Sequence, residues 1–438
     1  MTDSGSGYAR HLITIKQRVD NALEKSGFDY ALIASGVEKM RFLDDMPYPF
    51  KVNPQFKAWV PLLHHPDCWI AYTPGSTPIL VYCQPDDYWH LPPAAPSGDW
   101  VGAFDIRIIR TPAEAAQHLP KNGRAAILGE ADAALPGVEP NNPKQLLDYL
   151  HYHRAFKTPY ELAQMRAAST RAVRGHRAAQ ARFAAGGSEL EIHRAYLAAS
   201  EHNEIDLPYG NIVALNEHGA TLHYQYQRAD VPAEHRALLI DAGADVAGYA
   251  ADITRTWHND DQHFAALVDA VDTEQKALAA KVRPGQDYRD LHLEAHLRLG
   301  GVLQQLDIVR MEPGRMLETG VTSTFFPHGL GHLIGLQVHD VAGFAADESG
   351  NTIPKPDGHP YLRLTRTLQA GMVTTIEPGI YFIDMLLAKL EAGEHRGVVN
   401  WKLVEHLRKF GGVRIEDDVV CTEGAPENLT RDAFAMVE

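Results

Sequence analysis

The sequence predicts a two-domain protein of the α/β class, and three observations lead there. At 438 residues the chain exceeds what one hydrophobic core ordinarily fills. Its first third alternates apolar strand-like runs with helical periodicity, as an α/β module does. A strong helix-start signal near residue 158 then opens a second region.

Taken in order, residues 9–26 read as a helix because Leu12, Ile13, Val19 and Leu23 fall near a 3.6-residue period. Strand-like runs follow in DYALIAS, DCWIAYTP, PILVYCQP and RAAILGE. The segment HYHRAFKTPYELAQMRAASTRAVRGHRAAQARF predicts a long helix with Thr158 as N-cap and Pro159 at the first helical position. Glu161 is the acid three residues after the cap. Helical patterns recur at 187–202, 262–281 and 287–300, interleaved with apolar strands from residue 210 onward. The stretch 343–360 is rich in Gly, Pro and Asp and reads as a surface loop.

A net charge of −15 repels phosphate backbones and argues against nucleic acid as a partner. Cys68, Cys83 and Cys421 are scattered with no CxxC pair, which fits a reducing compartment and excludes a cysteine-built zinc site. The polar start MTDSGSGYARHL has no apolar signal-peptide core, and no run approaches the ~18–20 apolar residues of a membrane span. The expectation is a cytoplasmic protein with no membrane partner.

Chemistry concentrates in five residues: Asp241, Asp252, His332, Glu377 and Glu416. Their carboxylates lie in apolar runs such as ALLIDAGAD, YAADITRT, VTTIEPGIYF and GGVRIEDDVV, where burial is costly unless the charge is compensated. Four carboxylates and one imidazole suit two divalent cations. A hairpin centred near Val246 and Ala247 would set Asp241 opposite Asp252. Taken alone, that pair could equally be two surface acids. In GGVRIEDDVV, alternation puts Arg414 and Glu416 on one face, and an exposed ion pair on an edge strand is the bland alternative. His328, His332 and His339 share the Gly-rich string FFPHGLGHLIGLQVHD, a setting that a plain amphipathic helix would not use. By contrast, His292 and His296 read as ordinary helix residues with no ligand role, as do His151 and His153. HExxH, P-loop, GxSxG and GxGxxG motifs are absent, so serine catalysis and phosphate cradling lack support.

Together LLIDAGAD, GYAADITRTW, FFPHGLGHLIGLQVHD, TIEPGIYF and GGVRIEDDVV resemble, in order, the metal-dependent pita-bread peptidases. Within them the chain is most similar to bacterial prolidases (Xaa-Pro dipeptidases), the kind also known as organophosphorus acid anhydrolases. FLDDMPYPFKVNPQFKAWVP and the DYWH at 87–90 extend the likeness into the N-terminal half. The resemblance implies an N-terminal α/β domain over 1–155 and a pita-bread catalytic domain over 156–438. It implies that Asp241, Asp252, His332, Glu377 and Glu416 hold two metal ions. His223 and His339 match histidines near the scissile bond, and Arg414 an arginine that meets the proline carboxylate. Tyr209, Leu222, Tyr288, His328, Val338 and Leu362 match pocket positions. Asp45 and Trp89 match residues that, in the family homodimer, reach the partner's site.

The expected reaction is hydrolysis of Xaa-Pro dipeptides by a metal-bridging hydroxide, with Glu377 moving the proton and His339 and His223 facing the oxyanion. One imidazole among four carboxylates favours manganese and leaves cobalt, iron and zinc open. Arg414 has two possible jobs, orienting a ligand carboxylate or meeting the substrate's, and the expectation takes the second. The alternative is an Xaa-Pro aminopeptidase acting on longer peptides. A non-catalytic binding module is the rival from another class, and organophosphate cleavage is an expected side activity.

Overall fold

A computed structural model describes residues 7–437 and divides the chain into two compact units. One runs to Ala163 and includes Asp347–Asn351; the other comprises Gln164–Ala346 and Thr352 onward.

In the first unit the helix Gly7–Ser26 buries Leu12, Ile15, Val19, Ala22 and Leu23, a stripe at three- and four-residue steps. Ile13, expected on that stripe, is 65% exposed, and Ile15 takes its place. The strands are β1 (Tyr30–Ala34), β2 (Trp69–Tyr72), β3 (Ile79–Cys83), β4 (Asp105–Ile109) and β5 (Ala125–Leu128), ordered β4-β3-β2-β1-β5. β1 is parallel to β5 and β3 to β4, while β2 runs antiparallel to both its neighbours. The four sequence-predicted strands are the four apolar ones. β4, an edge strand with the polar pattern DIRII, gave no apolar run to find.

Thr158 and Glu161 form a reciprocal cap. The Thr158 N–H donates to Glu161 Oε2 at 2.7 Å, the Glu161 N–H donates to Thr158 Oγ1 at 3.3 Å, and the helix Pro159–Ala184 follows. In the second unit β6 (Ile212–Leu215), β7 (Ala237–Asp241) and β10 (Thr254–His258) make an antiparallel sheet ordered β10-β7-β6. The short β8 (Ala244–Val246) and β9 (Tyr249–Ala251) form a hairpin between β7 and β10. Later come β11 (Val373–Ile376), β12 (Gly379–Tyr381), β13 (Gly412–Arg414), β14 (Asp417–Val420) and β15 (Glu427–Asn428).

Two interrupted ladders matter most. β7 with β10 and β8 with β9 share one register, in which Asp241 pairs with Thr254 and Ala244 with Ala251. The turn is centred on Ala247 and Gly248, both at positive φ as a two-residue primed turn requires. That is one position beyond the expected centre. Asp252 therefore falls opposite Gly243, where the ladder is broken, and not opposite Asp241. The second ladder pairs Ile376 with Asp417 and Gly379 with Arg414, again in one register. Glu377 is thereby set opposite Glu416, at the break made by Pro378, which has no N–H for the ladder.

Candidate metal centre

The breaks in the two ladders bring the acidic residues together in the second unit. Tyr209 Oη lies 2.7 Å from Asp241 Oδ1 and 2.5 Å from Asp252 Oδ1, spanning the pair. It fits because residue 243 is glycine, since a Cβ there would lie 2.2 Å from the Ala251 oxygen and 2.7 Å from the Tyr209 ring. His332 Nε2 lies 3.4 Å from Asp252 Oδ2 and 3.6 Å from Glu377 Oε1. Glu416 is 2% exposed and accepts the Thr254 hydroxyl at 2.7 Å. One ligand atom each from Asp252, His332 and Glu416 lies within 4.8 Å of the others.

The Gly-rich string runs beside β11. The Thr375 N–H donates to the His332 oxygen, and the Glu377 N–H to the Leu330 oxygen. Gly331 permits this approach, because a Cβ would lie 2.2 Å from the Thr375 oxygen. The His332 Nδ1 contacts the Leu333 oxygen at 3.0 Å, which turns Nε2 toward the carboxylates.

The electrostatics call for a cation. Burial and the neighbouring Asp252 and Glu377 push the Glu416 carboxyl well above its ordinary range. Burial likewise raises Glu377, to about 7. Burial alone would lower His332, but its contacts with Asp252 and Glu377 carry it to about 9. Glu377, Glu416 and the imidazole thus favour their protonated forms, while His332 holds Asp252 below its ordinary range, where cations would otherwise balance the charge. Both the donor set and this imbalance fit divalent metal ions.

Arg414 is 4% exposed, which removes the surface ion-pair reading. Its guanidinium donates to Asp241 Oδ2 at 2.8 Å, Tyr381 Oη at 2.8 Å and Thr254 Oγ1 at 3.1 Å. These bonds hold the Asp241 carboxylate, which corresponds to the first of its two possible jobs.

His328 Nε2 meets the same Tyr381 hydroxyl at 2.9 Å, while Nδ1 lies 2.8 Å from the Gly329 oxygen. Since Tyr381 accepts from Arg414, its own O–H is left to donate to Nε2, and His328 Nδ1–H donates to the carbonyl. Burial and the Arg414 charge hold His328 down to about 3. The His339 ring packs edge-on to His332 at 4.5 Å. His223 is exposed and is an electrostatic neighbour of both His328 and His339.

Leu362 is buried, and its Cα would lie 2.9 Å from a Cβ on Gly329; Leu222 and Val338 are partly exposed. Tyr288 is fully buried and donates to the Thr375 oxygen at 2.7 Å, so it braces the strand leading to Glu377. Asp45 and Trp89 are exposed in the first unit, with Trp89 packed on Tyr88 at 5.0 Å.

Sequence reading missed several supporting residues. Thr254, Thr375 and Tyr381 are polar contacts inside apolar runs, a signal that was present. The buried Asp418 accepts the Asp252 N–H at 3.0 Å and was hidden by standing next to Asp417. Arg363, exposed beside Leu362, places its charge near His339.

The chain is similar over nearly its whole length to known proteins. The family description "Xaa-Pro dipeptidase, N-terminal domain" matches residues 6–152, and "Metallopeptidase family M24" matches residues 163–423. The chain is 56% identical over 430 residues to a Xaa-Pro dipeptidase of Xanthomonas axonopodis pv. citri, covering 98% of each chain. It is 53% identical over 435 residues to one from Stenotrophomonas maltophilia, covering 99% of this chain and 98% of the other. Among solved structures it is similar to E. coli aminopeptidase P with the inhibitor Pro-Leu, at TM-score 0.70 and 23% identity over 95% of each chain. A Pseudomonas aeruginosa aminopeptidase matches at TM-score 0.71 and 21% identity, covering 96% of this chain and 95% of that one. These likenesses bear out the expected pita-bread fold behind an N-terminal domain. The chain belongs to metallopeptidase family M24, in the group that carries the Xaa-Pro dipeptidase N-terminal domain.

Proposed function

We propose that the chain is a Xaa-Pro dipeptidase that cleaves at the centre formed by Asp241, Asp252, His332, Glu377 and Glu416. The observation that carries this is the convergence of four carboxylates and one imidazole, in a chain more than half identical, end to end, to proteins named Xaa-Pro dipeptidase. These five residues would hold two divalent cations, with manganese favoured by the oxygen-rich donor set. When bound, such cations supply Lewis acidity that activates water and polarises the peptide carbonyl.

The remaining steps belong to the protein. Glu377 takes the proton released by the attacking water and passes it to the proline nitrogen. His339 and His223 line the side on which oxyanion charge develops. Arg414 positions Asp241, and the exposed Arg363 beside Leu362 is the cation left to meet the substrate's carboxylate. Tyr209, Leu222, Tyr288, His328, Val338 and Leu362 shape and brace the pocket. The 1–155 region serves as a dimerisation domain whose Asp45 and Trp89 complete the partner's site. The protein works in the cytoplasm and hydrolyses organophosphate esters as a side reaction of the same activated water.

The test is a rate comparison of Gly-Pro, Ala-Pro and Gly-Pro-Ala with added manganese. Faster cleavage of both dipeptides supports the proposal. Preference for Gly-Pro-Ala would make the chain an Xaa-Pro aminopeptidase, and no cleavage of any would leave a binding module.

A further inference from the structure

Outside this centre, the helix Tyr288–Gln305 carries His292 and His296 on one face, both 1% exposed. His359, partly buried and far along the chain, closes a triangle with them. Ring centroids lie 4.8 Å apart for His292 and His296, 4.7 Å for His292 and His359, and 4.6 Å for His296 and His359. One nitrogen from each lies within 4.8 Å of the others. His292 Nε2 is 2.9 Å from His359 Nδ1. His296 Nδ1 lies 2.9 Å from the Thr322 hydroxyl, and its Nε2 is buried with no hydrogen-bond partner among the described residues. Buried polar atoms are seldom left so, and each one costs desolvation.

From this cluster we propose that His292, His296 and His359 form a second cation site, built of three imidazoles and suited to a borderline transition metal such as zinc. Three neutral nitrogens with no carboxylate favour zinc, copper or nickel, whereas the oxygen-rich centre favours manganese. The Thr322 hydroxyl takes the Nδ1–H of His296 and so directs Nε2 inward, as partners of metal-bound histidines do. Burial holds His292 down to about 2 and His296 to about 3, so both are neutral near pH 7, the form that ligates. Metal–nitrogen bonds of ~2.0–2.1 Å in a tetrahedron put nitrogens about 3.3 Å apart. The His292–His359 contact therefore opens by a few tenths of an ångström on binding. A fourth position is left for water.

The site also has a structural consequence. His359 precedes Leu362, whose backbone packs on Gly329 next to His328. A cation here ties that segment to the helix bearing Tyr288, bracing one wall of the pocket without entering it.

Metal-stripped full-length protein dialysed against zinc chloride, then analysed for bound zinc, tests the proposal. Wild type is expected to hold one equivalent more than His359→Ala, a substitution at a partly exposed position that spares the helix core. His296→Gln is expected to lose the same equivalent, and adding His359→Ala to Asp252→Asn is expected to remove one further equivalent from that variant. Near-ultraviolet circular dichroism checks that each variant is folded. Equal zinc content in wild type and folded His359→Ala overturns the proposal. So does equal zinc content in Asp252→Asn and the folded Asp252→Asn, His359→Ala double variant, which would assign the equivalent to the carboxylate centre.

Discussion

At the scale of single residues, the site depends on charge balance and on glycines. Asp252→Asn and Glu416→Gln each remove an anionic ligand from the proposed centre. Both are expected to abolish turnover and lower metal content, and elemental analysis of the purified variants checks this. Full activity with an unchanged metal complement would sink the ligand assignment. Gly331→Ala would push a Cβ to 2.2 Å from the Thr375 oxygen and 2.4 Å from Tyr288 Oη. Overpacking of that kind costs about 1–3 kcal/mol, and here it also displaces His332, so both Tm and activity should fall. The two arginines separate by substrate. Arg414→Ala should slow Gly-Pro and Gly-prolinamide alike, because it loosens Asp241. Arg363→Ala should slow Gly-Pro by about 10–150-fold and spare the amide, the range for losing one charge-assisted contact. Equal losses on both substrates for Arg363→Ala would remove it from carboxylate recognition.

At the scale of elements, the helix Tyr288–Gln305 contributes to the acid sensitivity of the fold. Burial keeps His292 and His296 from protonating in the folded chain, while the same residues titrate near pH 6.5 when unfolded. Between about pH 6.5 and pH 3 the unfolded state therefore binds more protons, and stability falls as pH drops through that window. Urea midpoints measured from pH 7.5 to pH 4.5 should decline, and His292→Phe should flatten part of the slope. A slope unchanged by the substitution would refute the assignment. The elements themselves were partly legible. Thr158, Pro159 and Glu161 gave the long helix because capping is local chemistry. The β8–β9 turn was misplaced by one residue because Ala247 is a non-glycine residue at positive φ, a conformation that composition does not announce.

At the scale of the whole molecule, the proposed dimer rests on Asp45 and Trp89, which are exposed in the first unit. Mixing Asp45→Ala with Glu377→Ala protein should regenerate activity, because hybrid dimers would contain one complete site. If cross-linking shows that subunits exchange and no activity returns, contribution in trans is wrong. Chelation should lower Tm as well as activity, since cations that bind only the folded chain stabilise it by mass action. A chelated protein with unchanged Tm would mean that the carboxylates tolerate each other without metal.

The sequence by itself singled out the residues proposed to carry the chemistry. An acid inside an apolar run must be compensated wherever it ends up, so Asp241, Asp252, Glu377 and Glu416 were visible without coordinates. Patterns of a few residues, such as caps, apolar strands and Gly-rich approaches, were visible for the same local reason. Tertiary structure alone decided how those residues meet. The Glu377–Glu416 pairing comes from one register shared across a Pro378 break, and register depends on both strands and their turn. Arg414 looked free to meet a substrate until Asp241, Thr254 and Tyr381 converged on it from distant segments. His292 and His296 looked like ordinary helix residues until a loop brought His359 to them. A ligand set made by long-range contacts leaves no local trace, because each member obeys the rules of its own segment.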